Sequence, residues 1–114
     1  MNKYAALGLL LEAAEGKTVA VISRNQNLAG IALHDFEVPL AHGWRARRTN
    51  GDQRIDAPSG GSIRFRSAGQ SHRGMTFDVV YVDSDAADLL YDDRVSEELR
   101  MTLSSRPDAS IVRA

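Results

Sequence analysis

The sequence contains no cysteine and no long apolar run. Without cysteine it can form no disulfide bond, thiolate nucleophile or cysteine-based zinc site, which is consistent with a reducing compartment. The apolar stretch near the N-terminus, "AALGLLLEAA", is well short of the roughly 18 residues that a membrane helix needs. It also lacks the charge pattern of a signal peptide, because one lysine precedes it and further charges follow soon after. We therefore expect a cytoplasmic protein.

The composition is that of an ordinary globular protein, with 43% hydrophobic and 25% charged residues in a chain of 114. A chain of this length has room for one hydrophobic core. There is no internal repeat and no low-complexity segment that would mark a linker. We expect a single domain that covers residues 1–114.

The first part of the chain predicts a helix, a strand and a second helix. Apolar residues recur at helical spacing over residues 3–14, and Gly16 follows as a stop signal. "TVAVIS" (Thr18 to Ser23) is an apolar, β-branched run without alternation, which is typical of a strand buried on both faces. Asn25 or Asn27 can cap a second helix that ends before Pro39.

The middle of the chain alternates between polar and apolar residues. "WRARRT", "RIDAP" and "SIRFRS" have the period of two that is typical of strands, and "NGD" and "SGG" supply the turns between them. Ile63 and Phe65 then point to one side of the sheet, and Arg64 and Arg66 point to the other. These segments predict a small antiparallel meander with one basic face.

The last third predicts strand, helix, strand. "FDVVYVD" (Phe77 to Asp83) is a second apolar strand, Ala86 to Leu90 and Val95 to Leu103 are helical, and "SIVRA" is a terminal strand. Alternation of apolar strands with helices favours an α/β fold with a mainly parallel sheet and right-handed crossovers.

Positive charge is concentrated in the middle of the chain. Residues 41–77 hold seven arginines against two acids, whereas the rest of the chain from Asp78 holds nine acids against four arginines. Arginines beside an aromatic side chain suit phosphate contact and base stacking, so the meander is a candidate nucleic-acid surface. The alternatives are a solvated sheet face on which Trp44 anchors the meander, or mutual neutralisation of the two charged segments. The candidate residues are Trp44, Arg45, Arg47, Arg48, Arg64, Arg66 and Arg73.

The histidines, the acidic residues and the serines are weaker evidence for a functional site. His34, His42 and His72 are too far apart for a local metal motif, and we read them as surface histidines. The acids from Asp83 to Asp93 lack the pattern of a calcium loop, and acids at a helix start stabilise the helix dipole without any ligand. No serine lies in a hydrolase motif. We expect no metal and no cofactor.

The stretch from Gly60 to the C-terminus resembles the ATPase domain of phage large terminase subunits, the motors that package DNA. That family has a Gly-Ser turn before a strand, an Arg-Gly loop, an apolar strand that ends in Asp-Glu, and a "TLSARP"-like turn. The resemblance implies a truncated RecA-like core with a short, mainly parallel sheet, flanking helices and an antiparallel β insert. It also implies a phage gene and residence in the host cytoplasm. The matching positions are Gly61, Ser62, Ile63, Phe65, Arg73, Gly74 and Asp83, followed by Thr102 to Pro107.

The chain departs from that family at both nucleotide motifs. It has no GxxxxGK[ST] loop, and Gly16-Lys17-Thr18 lies between a helix and a strand, the reverse of the required order. At the second motif, Asp83 is followed by Ser84 where the family has the glutamate that activates water, and Asp85 comes one residue later. The resemblance therefore implies a degenerate Walker B motif and no ATP hydrolysis by the chain alone.

In the sheet order of that family, the strand that carries the phosphate-binding loop lies beside the "SIVRA" strand. Its absence predicts an unpaired edge at Ser110, Ile111, Val112 and Arg113, with apolar surface near Leu9, Leu10 and Val112. We expect a non-catalytic, terminase-like module that forms a homo-oligomer and binds a host or phage protein. The alternatives are a nucleic-acid-binding accessory protein and an ATPase subunit completed by a partner.

Overall fold

The structure is a computed structural model, and it describes residues 1–37, 41–49 and 51–114. The expected helix end before Pro39 and the "NGD" turn at position 50 lie outside the described residues. The helices are α1 (Lys3–Ala14), α2 (Gln26–Glu37), a 3₁₀ helix (Ser84–Tyr91) and α3 (Asp93–Arg100). The strands are β1 (Thr18–Ser23), β2 (Arg45–Thr49), β3 (Asp52–Asp56), β4 (Ser62–Ser67), β5 (Val79–Val82) and β6 (Ser110–Arg113).

Short polar side chains fix where the helices begin. Asn25 is the cap of α2, since its Oδ1 accepts from the Leu28 amide at 2.9 Å. Asp83 caps the 3₁₀ helix, and Asp92 caps α3 by accepting from the Arg94 and Val95 amides. The α3 helix therefore begins two residues before the predicted start at Val95 and ends at Arg100.

One six-stranded sheet has the order β2-β3-β4-β1-β5-β6. Strands β4, β1, β5 and β6 run parallel, and β3 and β2 continue the sheet beyond β4 as antiparallel strands. This architecture confirms the predicted α/β fold with a mainly parallel sheet. The predicted meander is part of this one sheet. Its third strand, β4, pairs with β1 over all six residues from Ser62 to Ser67.

The core lies on both faces of this sheet. On one face α1 and α2 cover Val19, Val21, Ile63 and Phe65, and the Phe36 ring meets the Phe65 ring edge to face at 5.0 Å. On the other face the 3₁₀ helix and α3 cover the alternate residues of β1 and β5, which are Ala20, Ile22, Val80 and Val82. Both central strands are thus buried on two sides, as their apolar runs predicted. Within the part of the chain described, no helix has the length and apolarity to cross a membrane.

Candidate functional sites

The degenerate Walker B residues follow β5 at the carboxyl end of the parallel strands. Asp83 is buried and its Oδ1 accepts from the Ser84 amide at 2.8 Å. Asp85 is bonded to the end of β1: its Oδ1 accepts from the Arg24 amide at 3.0 Å, and its carbonyl accepts from Arg24 Nε at 2.8 Å. Arg24 also forms an ion pair with Asp88.

This arrangement gives Asp83 and Asp85 structural partners. Asp83 starts the 3₁₀ helix, while Asp85 and Asp88 hold Arg24 across the end of the sheet. Ser84 is exposed, and its neutral hydroxyl is too weak a base to take a proton from water. No group of three or more His, Asp or Glu side chains among the described residues is arranged to hold a metal ion.

Lys17 lies at the opposite end of the sheet, before β1. Its Nζ donates to Glu12 at 2.7 Å and to Asp108 at 3.2 Å, and these hydrogen bonds raise the pKa of Lys17. Gly16 has φ of +90°, the left-handed conformation of a glycine that ends a helix. The Gly16-Lys17-Thr18 triplet is therefore a helix stop followed by an ion pair, as its order in the sequence indicated.

The basic meander is less uniform than its sequence predicted. Alternation along β2 places Arg45 and Arg47 on one face of the sheet and Arg48 on the other. On the first face the Asp52 carboxylate lies 3.2 Å from Arg54, 3.0 Å from Arg64 and 3.9 Å from Arg47. Asp52 thereby neutralises part of the positive charge on this face of the sheet. The attraction of the face for phosphate groups is correspondingly weaker.

Two of the candidate nucleic-acid residues are engaged elsewhere. Trp44 is half-buried and packs against the core on the side of α1 and α2, as in the anchoring alternative. Arg66 lies on the same face of the sheet as Arg64, as predicted, but it is buried and not available to nucleic acid, and its Nε donates to His72 Nδ1 at 2.9 Å. The reason is that β4 lies inside the sheet beside β1, where the loop after β4 covers it. Arg73 is exposed on that loop, outside the meander.

His72 was read from the sequence as a surface histidine, and this is wrong, since only 7% of the residue is exposed. The residues around His72 in the sequence give no indication that it is buried. The partner that buries it, Arg66, lies six residues away and is itself a residue type that is rarely buried.

The predicted sheet edge is present at β6. Within the described residues β6 pairs only with β5, and Val112 is 44% exposed. The apolar surface beside it differs from the expectation at two positions, because Leu9 and Leu10 are buried. The exposed apolar residues of α1 form what we call the α1 stripe: Tyr4 (74% exposed), Leu7 (55%) and Leu11 (59%).

Comparisons with known proteins identify this fold. The ATPase domain of the large terminase of Thermus phage P74-26 superposes with a TM-score of 0.64 and 16% sequence identity, over 97% of this chain and 53% of that one. A point mutant of the same domain gives a TM-score of 0.56 and 16% identity, over 98% of this chain and 54% of that one. This chain thus spans about half the length of those chains. No protein-family profile and no curated protein sequence matches it. The chain has the fold of the phage large terminase ATPase domain.

Proposed function

We propose that this chain, with the fold of a phage terminase ATPase domain, is a non-catalytic module that pairs with a second copy of itself. The observation that carries the proposal is the edge of β6, which is unpaired within the described residues and on which Val112 is exposed. Unpaired strand edges next to exposed apolar surface are templates for pairing with another chain. The assembled module is the form that we expect to bind a host or phage protein.

The hydrogen bonds of β6 indicate which groups are free for a partner. The Ser110 amide donates to the carbonyl of Asp78, just before β5, at 3.2 Å, and the Ala114 amide donates to the carbonyl of Val82 in β5 at 3.0 Å. Because backbone groups alternate along a strand, the N–H groups of Ile111 and Arg113 point towards the open edge. A second β6 running antiparallel, with Val112 at the centre, places Ile111 opposite Arg113 of the other copy. Val112 then lies opposite itself in the pair whose side chains approach most closely.

The same symmetry makes the interface self-complementary, because a two-fold axis normal to the sheet keeps both α1 helices on one face. The α1 helix packs on β1 and β4, at least two strands away from β6, so the two α1 stripes do not contact each other across this interface. Pairing of the two strand edges, with Val112 against Val112, therefore carries the association.

The absence of catalysis is part of the proposal and rests on three features. No phosphate-binding loop is present in the sequence, Ser84 replaces the expected glutamate, and Asp85 is bonded to Arg24. Phosphoryl transfer depends on positioned cations and backbone donors around the phosphates, which a phosphate-binding loop would supply. We expect purified protein to release no phosphate from ATP above the buffer background. Turnover that appears only with a second polypeptide would support the alternative of a completed ATPase.

The test of assembly compares two substitutions at one exposed position. Arg113→Pro removes the N–H group that points to the open edge and leaves the bonds to β5 in place, whereas Arg113→Ala keeps that group. Light scattering in low and high salt is expected to give a dimer for the wild type and Arg113→Ala, and a monomer for Arg113→Pro. A Leu7→Gln, Leu11→Gln double variant, with changes away from the edge, is expected to remain a dimer. A wild-type protein that is monomeric at all concentrations would overturn the proposal.

A second candidate function rests on β2, whose five residues from Arg45 to Thr49 are all exposed. Three of them are arginines, so the strand presents cationic side chains that can contact nucleic-acid phosphates. Salt-dependent binding of a short duplex by the monomer, with no dimer in any condition, would favour this function over assembly.

A further inference from the structure

A cavity of about 380 Å³ lies between the loop after β4 and the end of α3. It opens on the face of the sheet opposite α1, so it is separate from the proposed dimer interface. His72, Arg73 and Met75 line it from the loop, and Glu98 and Met101 line it from α3 and the residue after it. We call it the His72 cavity.

The protonation state of His72 is determined by its neighbour. Its Nδ1 lies 2.9 Å from Nε of Arg66, and a guanidinium can only donate. The Nδ1 atom of the neutral ring must therefore accept, which places the ring proton on Nε2. That Nε2 is buried and has no hydrogen-bond partner in the part of the chain described. A buried donor without a partner is unfavourable, so an acceptor that reaches Nε2 from the cavity, after a small shift of the ring or of the residues that cover it, gains from meeting it.

Arg66 also makes this donor stronger than that of an ordinary histidine. Its positive charge polarises the imidazole through Nδ1, and hydrogen bonds in such chains strengthen one another. The guanidinium is held in place by a second bond, from Nη2 to the Ser71 carbonyl at 2.8 Å. The Nε2–H group therefore favours a negatively charged acceptor.

The other residues that line the cavity indicate the charge and the apolar character of the ligand. Arg73 supplies an exposed cation with the planar fork that suits a carboxylate. Glu98 adds one negative charge, which repels a doubly charged phosphate more strongly than a singly charged carboxylate. Met75 is half-buried and Met101 is exposed, and such flexible thioether side chains adapt to apolar groups of varied shape.

We propose that the His72 cavity binds a small monocarboxylate with an apolar body, whose carboxylate accepts from His72 Nε2 and pairs with Arg73. The apolar body lies against Met75 and Met101. Two sources share this chemistry, a free aliphatic acid and the carboxyl terminus of a peptide.

The experiment titrates the intact protein with hexanoate and follows the ¹⁵N and ¹H signals of the His72 imidazole by NMR. Hexanamide is the matched neutral probe, and N-acetylmethionine represents a peptide carboxyl terminus. Saturable shifts of the Nε2–H signal are expected with at least one acid. Hexanamide is expected to bind at least about tenfold more weakly, since a hydrogen bond to a charged acceptor is stronger than one to a neutral acceptor.

Variants test the two contacts separately. Arg73→Gln, at an exposed position, is expected to weaken binding of the acid about tenfold, whereas Arg94→Gln on the surface of α3 leaves it unchanged. His72→Phe is expected to abolish binding, with thermal unfolding as a check that the variant folds. Equal affinity for hexanoate and hexanamide, or no saturable shift, would overturn the proposal. So would tighter binding of inorganic phosphate than of either acid. Arg113→Pro retains binding of the acid, which keeps this result distinct from that of the assembly test.

Discussion

At the scale of single residues, Gly61 is the position where one added atom has the largest effect. A Cβ at this glycine would lie 2.0 Å from the Ala13 carbonyl oxygen and 2.8 Å from the Lys17 carbonyl oxygen. Both obstacles are backbone atoms that cannot turn away. We expect Gly61→Ala to lower the free energy of unfolding by about 3 kcal/mol, at the upper end of overpacking effects.

The control for this substitution is Gly69→Ala. A Cβ at Gly69 meets no atom within 4 Å, and Gly69 is not among the residues with positive φ. Its replacement is expected to leave stability unchanged or slightly raised. Equal urea midpoints for the two variants would show that the contact between the α1 end and the β4 start is not close. That contact also gives a steric reason for glycine before Ser62, in the Gly-Ser turn that carried the terminase resemblance.

His72 is expected to make stability depend on pH. Burial lowers the pKa of His72 below its ordinary value of 6.5, and the charge of Arg66 lowers it further, while Glu98 acts in the opposite sense. The unfolded chain therefore binds more protons than the folded one between the lowered pKa and 6.5, and stability falls as the pH falls through this range. Urea unfolding across this range is expected to show a smaller loss in His72→Gln than in the wild type. An equal loss in the two proteins would assign the pH dependence to other groups.

At the scale of elements, Asp78 connects three segments at the start of β5. Its Oδ2 accepts from the Thr18 amide at 2.9 Å, its Oδ1 accepts from the Ser104 hydroxyl at 2.6 Å, and Arg106 lies 3.3 Å away. Burial opposes ionisation of this carboxyl, but the bonds from Ser104 and Thr18 and the charge of Arg106 lower its pKa overall.

We expect Asp78→Ala to lower the free energy of unfolding by about 2 to 4 kcal/mol, because it removes a buried carboxylate together with its bonds to the partly buried Thr18 amide and to Ser104. Ser104→Ala removes one of the same bonds and is expected to cost about 1 kcal/mol. Chemical denaturation of the two variants measures both effects. Similar losses in the two would mean that Ser104, and not the bond to β1, carries the stabilisation.

The elements themselves were largely predictable from the sequence, because local signals determine them. The apolar runs of β1 and β5 are buried on both faces, and the Asn25 cap lies where the pattern placed it. The role of β4 was not predictable in the same way. Its alternation matches a strand with one solvated face, and only its pairing with β1 makes Arg66 an interior residue. Pairing between distant segments leaves no periodic signal in either one.

The candidate sites were predictable to different extents, because they depend to different degrees on pairing and packing between distant segments. The edge at Ser110 to Arg113 was predicted from the sheet order that the terminase resemblance implies, and β6 is the last strand of the sheet. The choice between Leu9 and Leu11 as the exposed side of α1 did not follow, since apolar residues surround the helix and only its packing against the sheet distinguishes them. The His72 cavity depends on a loop conformation that the sequence pattern does not encode.

At the scale of the whole molecule, the distribution of charge decides whether the basic face attracts nucleic acid. The net charge is −1, so any attraction must come from a local field and not from the total. Asp52 limits this field most, because its carboxylate contacts Arg54 and Arg64 and lies near Arg47, whereas Asp56 forms an ion pair with Arg54. We expect Asp52→Asn to strengthen binding of a short DNA duplex several-fold at about 50 mM salt, with the gain lost at about 200 mM.

The matched control is Asp93→Asn at the start of α3, which changes the net charge by the same amount on a different element. Fluorescence anisotropy with one labelled duplex measures all three proteins under identical conditions. If the local field of the basic face governs binding, only Asp52→Asn gains affinity and steepens the dependence on salt. If both variants gain equally, the total charge governs binding and the arginines of β2 to β4 have no special role. If none of the three proteins binds at low salt, the nucleic-acid alternative is wrong, and the arginines on this face serve the internal ion pairs of the sheet.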